Sequence, residues 1–303
     1  MNDLTRAMRA VLEPYHLVAV LAPQAGEAFR RLGLTGRWTP YFALRTAPLG
    51  EVSPAAVHAL FHHFSPRMVE REVRAVRAET NPEAVLAARL AAADAGLRAI
   101  LGEESVAAPE LAEAAGLAGL AANACRDAPG RPLGSANAAL PLPSRPHLAL
   151  WQAATTLREH RGDGHFATLL HSGVEGPEAL VLVVAAGADR RERLQGIREW
   201  TDEEWEAAER RLITRGLLEP DTRSLTTAGQ ALRRAVEERT DELAERPWAT
   251  LGADATRRLH DLLAPVADRI IAHLGLPARP GAAHTREAPV DGSPRHREGA
   301  GRS

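Results

Sequence analysis

Helical periodicity dominates the first third of the chain. Ser53-Pro54, Ser65-Pro66 and Asn81-Pro82 each join a capping side chain to a proline whose fixed φ and missing N–H suit the first helical position. Three successive helices are therefore expected. After Ser53, one face collects Val57, Leu60, Phe61 and Phe64; after Asn81, another collects Leu86, Leu90, Ala93, Leu97 and Leu101. Alternating strand patterns are scarce. Residues 126–146 carry five prolines, which predicts an irregular connection. From Pro277 onward, apolar residues are too few to offset ordering entropy, so a disordered tail is expected over 277–303. The predicted organisation is an N-terminal helical domain over 1–125, a linker over 126–147 and a second domain over 148–276.

That second domain has the more specific pattern. "WTDEEWEAAERRLITRGLL" (200–218) opens with Thr201 and Glu204 spaced as a capping box and ends its helix at Gly216. "LLEPDTRSLT" can form a two-strand wing, and a second capped helix follows from Thr227. The expected fold is all-α with a small β-wing. This order resembles the winged helix-turn-helix of MarR-type regulators, over about 148–243. The resemblance implies that the helix before "RGLL" is the recognition helix, that the hairpin meets a minor groove, and that a homodimer is an available assembly. Yet the helix leads with Asp202, Glu203, Glu204 and Glu206, whereas groove contacts come from basic and amide side chains. Only Arg190, Arg191, Arg193 and Arg198 upstream, with Arg223 in the wing, could supply a basic stripe. DNA is therefore a disfavoured partner.

Longer blocks carry a closer resemblance. "EPYHLVAVLAPQAGEAFRRLGLTGRWTPYFALRTAPLG" (13–50), "GRPLGSANAALPLP" (130–143), "LWQAATTLREHRGDGH" (150–165) and the 200–218 block are similar to an actinobacterial, SalK-like helix-turn-helix family. That family brings no established chemistry. Its pattern usually has His after "LW", where this chain has Gln152, which weakens a metal reading built on three histidines.

Composition narrows the function classes. With 303 residues, 45% apolar content and a formal charge of −2, the chain can build two modest cores and gives no overall attraction to a polyanion. The single Cys125 excludes an intramolecular disulfide and a multi-cysteine metal site. The N-terminus lacks the apolar core of a secretory signal, and no apolar run reaches the roughly 18–20 residues of a spanning helix. A cytoplasmic location and no membrane partner are expected.

The candidate chemistry centres on "LREHRGDGHFATLL" (157–170). As punctuation, it would be a basic helix end stopped by a left-handed Gly162, with Asp163 capping a new helix near His165. As a site, His160, Arg161, Asp163 and His165 would converge on a ligand, an anion or a proton-transfer centre. His16 is either a hydrogen-bonded core histidine or a pocket residue. Tyr41 and Arg45, with Trp38, suit an anionic or aromatic ligand, or simply pack around a buried arginine. His58 and His62 should be solvated, and His63 should face a domain interface. No phosphate loop, nucleophile elbow or metal-binding motif is present, so neither a metal nor a cofactor is assigned. The expected function is binding of a small molecule between the two halves of a degenerate winged-helix scaffold. The alternatives are a MarR-type ligand-responsive transcriptional regulator and an enzyme using His160 or His165 as a general base or metal ligand.

Overall fold

A computed structural model describes residues 2–279. Helices α1 (Asn2–Leu21), α2 (Ala25–Arg30) and α3 (Trp38–Thr46) lead through a 3₁₀ turn (Ala47–Leu49) to α4 (Pro54–Leu60), α5 (Pro66–Glu79) and α6 (Pro82–Val106). Then come α7 (Pro109–Asn123), α8 (Pro132–Ala139), α9 (Pro146–His171), α10 (Gly176–Ala185) and α11 (Arg191–Arg198). The chain closes with α12 (Asp202–Thr214), α13 (Thr227–Leu243), α14 (Arg246–Leu251) and α15 (Ala253–Leu274). All three expected caps form: Ser53, Ser65 and Asn81 side chains accept from the N–H groups of Ala56, Met68 and Ala84.

Three apolar clusters hold the chain together. The largest joins α1, α2, α6, α7, the first half of α9, and α15, with Val18, Leu97, Trp151 and Leu259 at 0% exposure. It therefore draws on both sides of the expected boundary at 148. A second cluster joins the end of α9 to α10, α12 and α13 around Trp205 and Leu212. The third is an aromatic cluster of Phe42, Phe61 and Phe64 with Val57, Met68 and Leu133. At 26 residues and about 39 Å, α9 runs from the first cluster into the second.

The structure corrects several expectations. The proline-rich connection contains α8, because Pro132 takes the first helical position and Leu133 is buried in the aromatic cluster. The sequence HRGDGH is no turn. It lies inside α9, and neither Gly162 nor Gly164 has a positive φ. Its glycines serve packing instead: the guanidinium of Arg131 fills the space a side chain on Gly164 would need. Asp163 caps no following helix; its carboxylate accepts the N–H of Gly134 in the first turn of α8 at 2.8 Å. The wing reduces to one antiparallel bridge, Leu218 with Leu225, and no strand forms among the described residues. Pro220 removes a donor next to that bridge, so arms this short cannot extend a ladder. The histidine-rich stretch after Val57 is not one helix either, since α4 ends at Leu60 and residues 61–65 form a connector. His62 is only half-buried and bonds the Val174 carbonyl at 3.0 Å, rather than being solvated. Of the expected tail, Arg279 folds back to pair with Asp268 at 2.7 and 2.9 Å; residues 280–303 lie outside the described residues. Among the described residues no helix is long and apolar enough to cross a membrane.

Candidate functional site

A cavity of about 240 Å³ opens between α1, α9, the end of α13 and α14, with His63 of the 61–65 connector at its rim. Residues 158, 161, 162, 165 and 166 of α9 line it together with His160, which follows from helical spacing of three and four. Of the residues expected to form a site, His160, Arg161 and His165 are therefore brought together. Asp163 points the other way, to α8.

The cavity wall leaves polar atoms unsatisfied. His160 is 3% exposed, and neither ring nitrogen has a hydrogen-bond partner; Thr5 Oγ1 and Arg161 Nε are buried and equally unpartnered. Such groups in a folded interior cost about 1–3 kcal/mol each unless a ligand or water satisfies them. The neighbours of these groups are fixed. Arg161 is anchored by Asp241 at 2.8 Å and Glu237 at 3.2 Å, and Asp241 also takes Arg6 at 2.8 Å. His165 Nδ1 lies 3.1 Å from Thr240 Oγ1, whose own proton goes to the Val236 carbonyl. His165 must therefore donate through Nδ1, leaving Nε2 as an acceptor. Burial pushes both His160 and His165 down to about 4, and lowers His63 well below the ordinary histidine range. All three are neutral near pH 7. The lining holds Arg9, Arg158 and Arg161 against Glu13 and Glu237, an excess of one positive charge.

Behind this wall, the other expected residues lie outside the cavity. Arg45, 4% exposed, makes a bidentate pair with Glu159 at 2.8 and 2.6 Å and donates to the Tyr41 hydroxyl at 2.9 Å. Burial alone would raise Glu159, but Arg45 and Arg158 hold it at about 2. His16 is fully enclosed and bonds Thr155 Oγ1 at 3.0 Å; burial lowers it to about 4. The Arg45–Glu159 ion pair thus lies outside the cavity, with the Tyr41 hydroxyl bonded to Arg45. Sequence reasoning missed Thr5, Arg9 and Trp248, which reach the cavity because α14 and α15 fold back over α1. The amphipathic patterns of α1 and α15 could have suggested that pairing, but no motif marks these residues.

The segment expected to hold the recognition helix comprises α11, a turn with Glu199 at φ 56°, and α12. Thr201 and Glu204 complete the expected capping box. Several acids at and just before the start of α12 are engaged within the molecule, while Glu203 is exposed. Glu204 pairs with Arg67 of α5 at 2.9 Å, Glu199 with Arg71 at 2.6 Å, and Asp202 with Arg191 at 3.0 Å. The Trp200 indole donates to the His63 carbonyl at 3.0 Å, and the Arg198 carbonyl accepts from Ser65 N at 3.1 Å. Most of the five candidate DNA-contacting arginines are engaged by groups of this chain. Arg193 pairs with Asp189 and Arg223 with Glu209, while Arg198 lies over the Phe64 ring at 4.1 Å and the Trp38 ring at 5.3 Å. Arg190 remains exposed.

Among the described residues, no group of three or more His, Cys, Asp or Glu side chains is placed to hold a metal ion. Comparison with known proteins gives one family: the model of a helix-turn-helix family matches residues 5–277. No curated protein and no solved structure matches the chain.

Proposed function

The chain belongs to that helix-turn-helix family, and on this premise we propose that it binds a small organic anion in the cavity under α9, on a scaffold whose recognition helix is engaged elsewhere. The observation that carries the reading is a set of buried, unpartnered atoms on residues that line one cavity: both His160 nitrogens, Arg161 Nε and Thr5 Oγ1. A neutral imidazole offers one donor and one acceptor, the guanidinium edge offers a donor, and Trp248 offers an apolar face. The single excess positive charge favours an anion. Extraction of the purified protein followed by mass spectrometry, on wild type and His160→Ala, tests this. A molecule retained by the first and lost from the folded second is expected; no bound molecule, and no thermal stabilisation by a panel of small carboxylates and phosphates, would overturn it.

A second reading, a ligand-responsive DNA-binding regulator, draws on the α11–α12 arrangement and on the family. It requires α12 to leave Arg67, whose exposed ion pair with Glu204 is worth little by itself. The finer placements, a SalK-like subfamily and a MarR-like ancestry for α10 to α13, belong to the same proposal and are supported by the order helix, turn, helix, hairpin, helix.

A further inference from the structure

Arg89 of α6 is 1% exposed and, among the described residues, has no carboxylate partner. Its guanidinium is held only by neutral groups: Nη2 donates to Gln152 Oε1 at 2.5 Å, and Nη1 reaches Asn137 Oδ1 at 3.2 Å and the Leu44 carbonyl at 3.5 Å. Nε has no partner at all. The nearest candidate counter-ion, Glu159, is committed to Arg45 and Arg158. Burial lowers Arg89 to about 10, so it still carries its charge at neutral pH.

A buried charge without a counter-ion is costly, and a natural way to offset that cost is a ligand of opposite charge. Beside Arg89 lies a second cavity of about 200 Å³, walled by Leu86, Leu90, Leu140, Pro141 and Pro143, with Arg89 and Gln152 as its only polar side chains. It is separate from the cavity under His160 and shares no residue with it. We infer that this second cavity binds an apolar monocarboxylate, whose carboxylate pairs with Arg89 while its hydrocarbon part lies against the leucines and prolines. Gln152, which stands where the resembling family has histidine, then serves to aim the guanidinium. Its Nε2 donates to the Asn137 carbonyl at 3.0 Å, which fixes its Oε1 toward Arg89.

The test titrates the full chain with butyrate, octanoate and phenylacetate by calorimetry, alongside octylamine and 1-octanol. At least one acid is expected to bind, and neither control. Arg89→Met, which removes the buried charge without opening a large void, should weaken that acid at least tenfold. So should Leu90→Trp, which fills the cavity and leaves Arg89 in place; it decides the matter if Arg89→Met fails to fold. His160→Ala should bind the acid as wild type does. Absence of binding by all three acids, equal binding by octanol, unchanged affinity in the folded variants, or loss confined to His160→Ala overturns the assignment; the last result alone would move the acid to the other cavity.

Discussion

The Arg131 guanidinium sits where a side chain on Gly164 would be, donating to the His160 carbonyl at 2.7 Å and to the last carbonyl of α13, Leu243, at 2.8 Å. Three helices meet at this one side chain, and the absence of a Cβ on α9 is what admits it.

The two glycines of HRGDGH should consequently behave in opposite ways. A Cβ on Gly162 meets nothing closer than 3.9 Å, so Gly162→Ala should stabilise the protein by up to about 1 kcal/mol, the helix-propensity difference. Gly164→Ala must displace Arg131 and should destabilise it by about 1–3 kcal/mol. Chemical denaturation of both variants checks the order, and a costly Gly162→Ala would restore the idea of a turn.

Acid lability should be steep between pH 6.5 and 4. His16, His160 and His165 are held at about 4 when folded and return to the ordinary value on unfolding. The unfolded chain binds more protons in this window, so stability rises with pH there. Asp163 works against them. Burial raises it to about 7, so it contributes stability at low pH that is lost between pH 4 and 7. Three groups outweigh one, for a net uptake of about two protons on unfolding near pH 5. Asp163→Asn, which keeps an acceptor for Gly134, should steepen the rise with pH and stabilise the protein near pH 7. Stability curves across pH 4–8 would show it.

Glu159→Gln should be among the most damaging single changes. It strands Arg45, 4% exposed, and strips Arg158 of one partner, a loss of about 3–5 kcal/mol. The double change Arg45→Met with Glu159→Leu should recover most of it. A double-mutant cycle in urea measures the coupling, and additive losses would contradict the pairing.

The wild-type protein should not bind its own upstream DNA with nanomolar affinity at about 150 mM salt, the range of specific repressors. Of the leading acids of α12, Glu204 and Asp202 pair with Arg67 and Arg191, while Glu203 and Glu206 stay exposed and would repel a phosphate backbone. Fluorescence polarisation decides this, and nanomolar binding would move attention to the exposed Arg190.

Much of the fold was legible because it is local. Ser53, Ser65, Asn81 and Thr201 announce helix starts through chemistry contained in four residues. What escaped is non-local. Gly162 and Gly164 look like punctuation unless one knows that Arg131, 33 positions before Gly164, needs the room. Likewise His160 and His165 could be picked out, but Thr5 and Trp248, which complete the cavity, sit more than eighty residues away on either side. Arg45 and Tyr41 had the composition of an anion site; only the approach of Glu159 showed the charge to be matched internally.

The length of α9 sets how the molecule comes apart. Its first half is embedded in one apolar cluster and its second half in another, with no break at the glycines where strain could be released. Neither cluster can dissolve while the other persists without fraying a hydrogen-bonded rod from its middle, a step that resembles helix nucleation in reverse. The amides around Leu157 to Gly164 should exchange with solvent only when the entire chain opens, so this segment becomes the slowest clock in the protein.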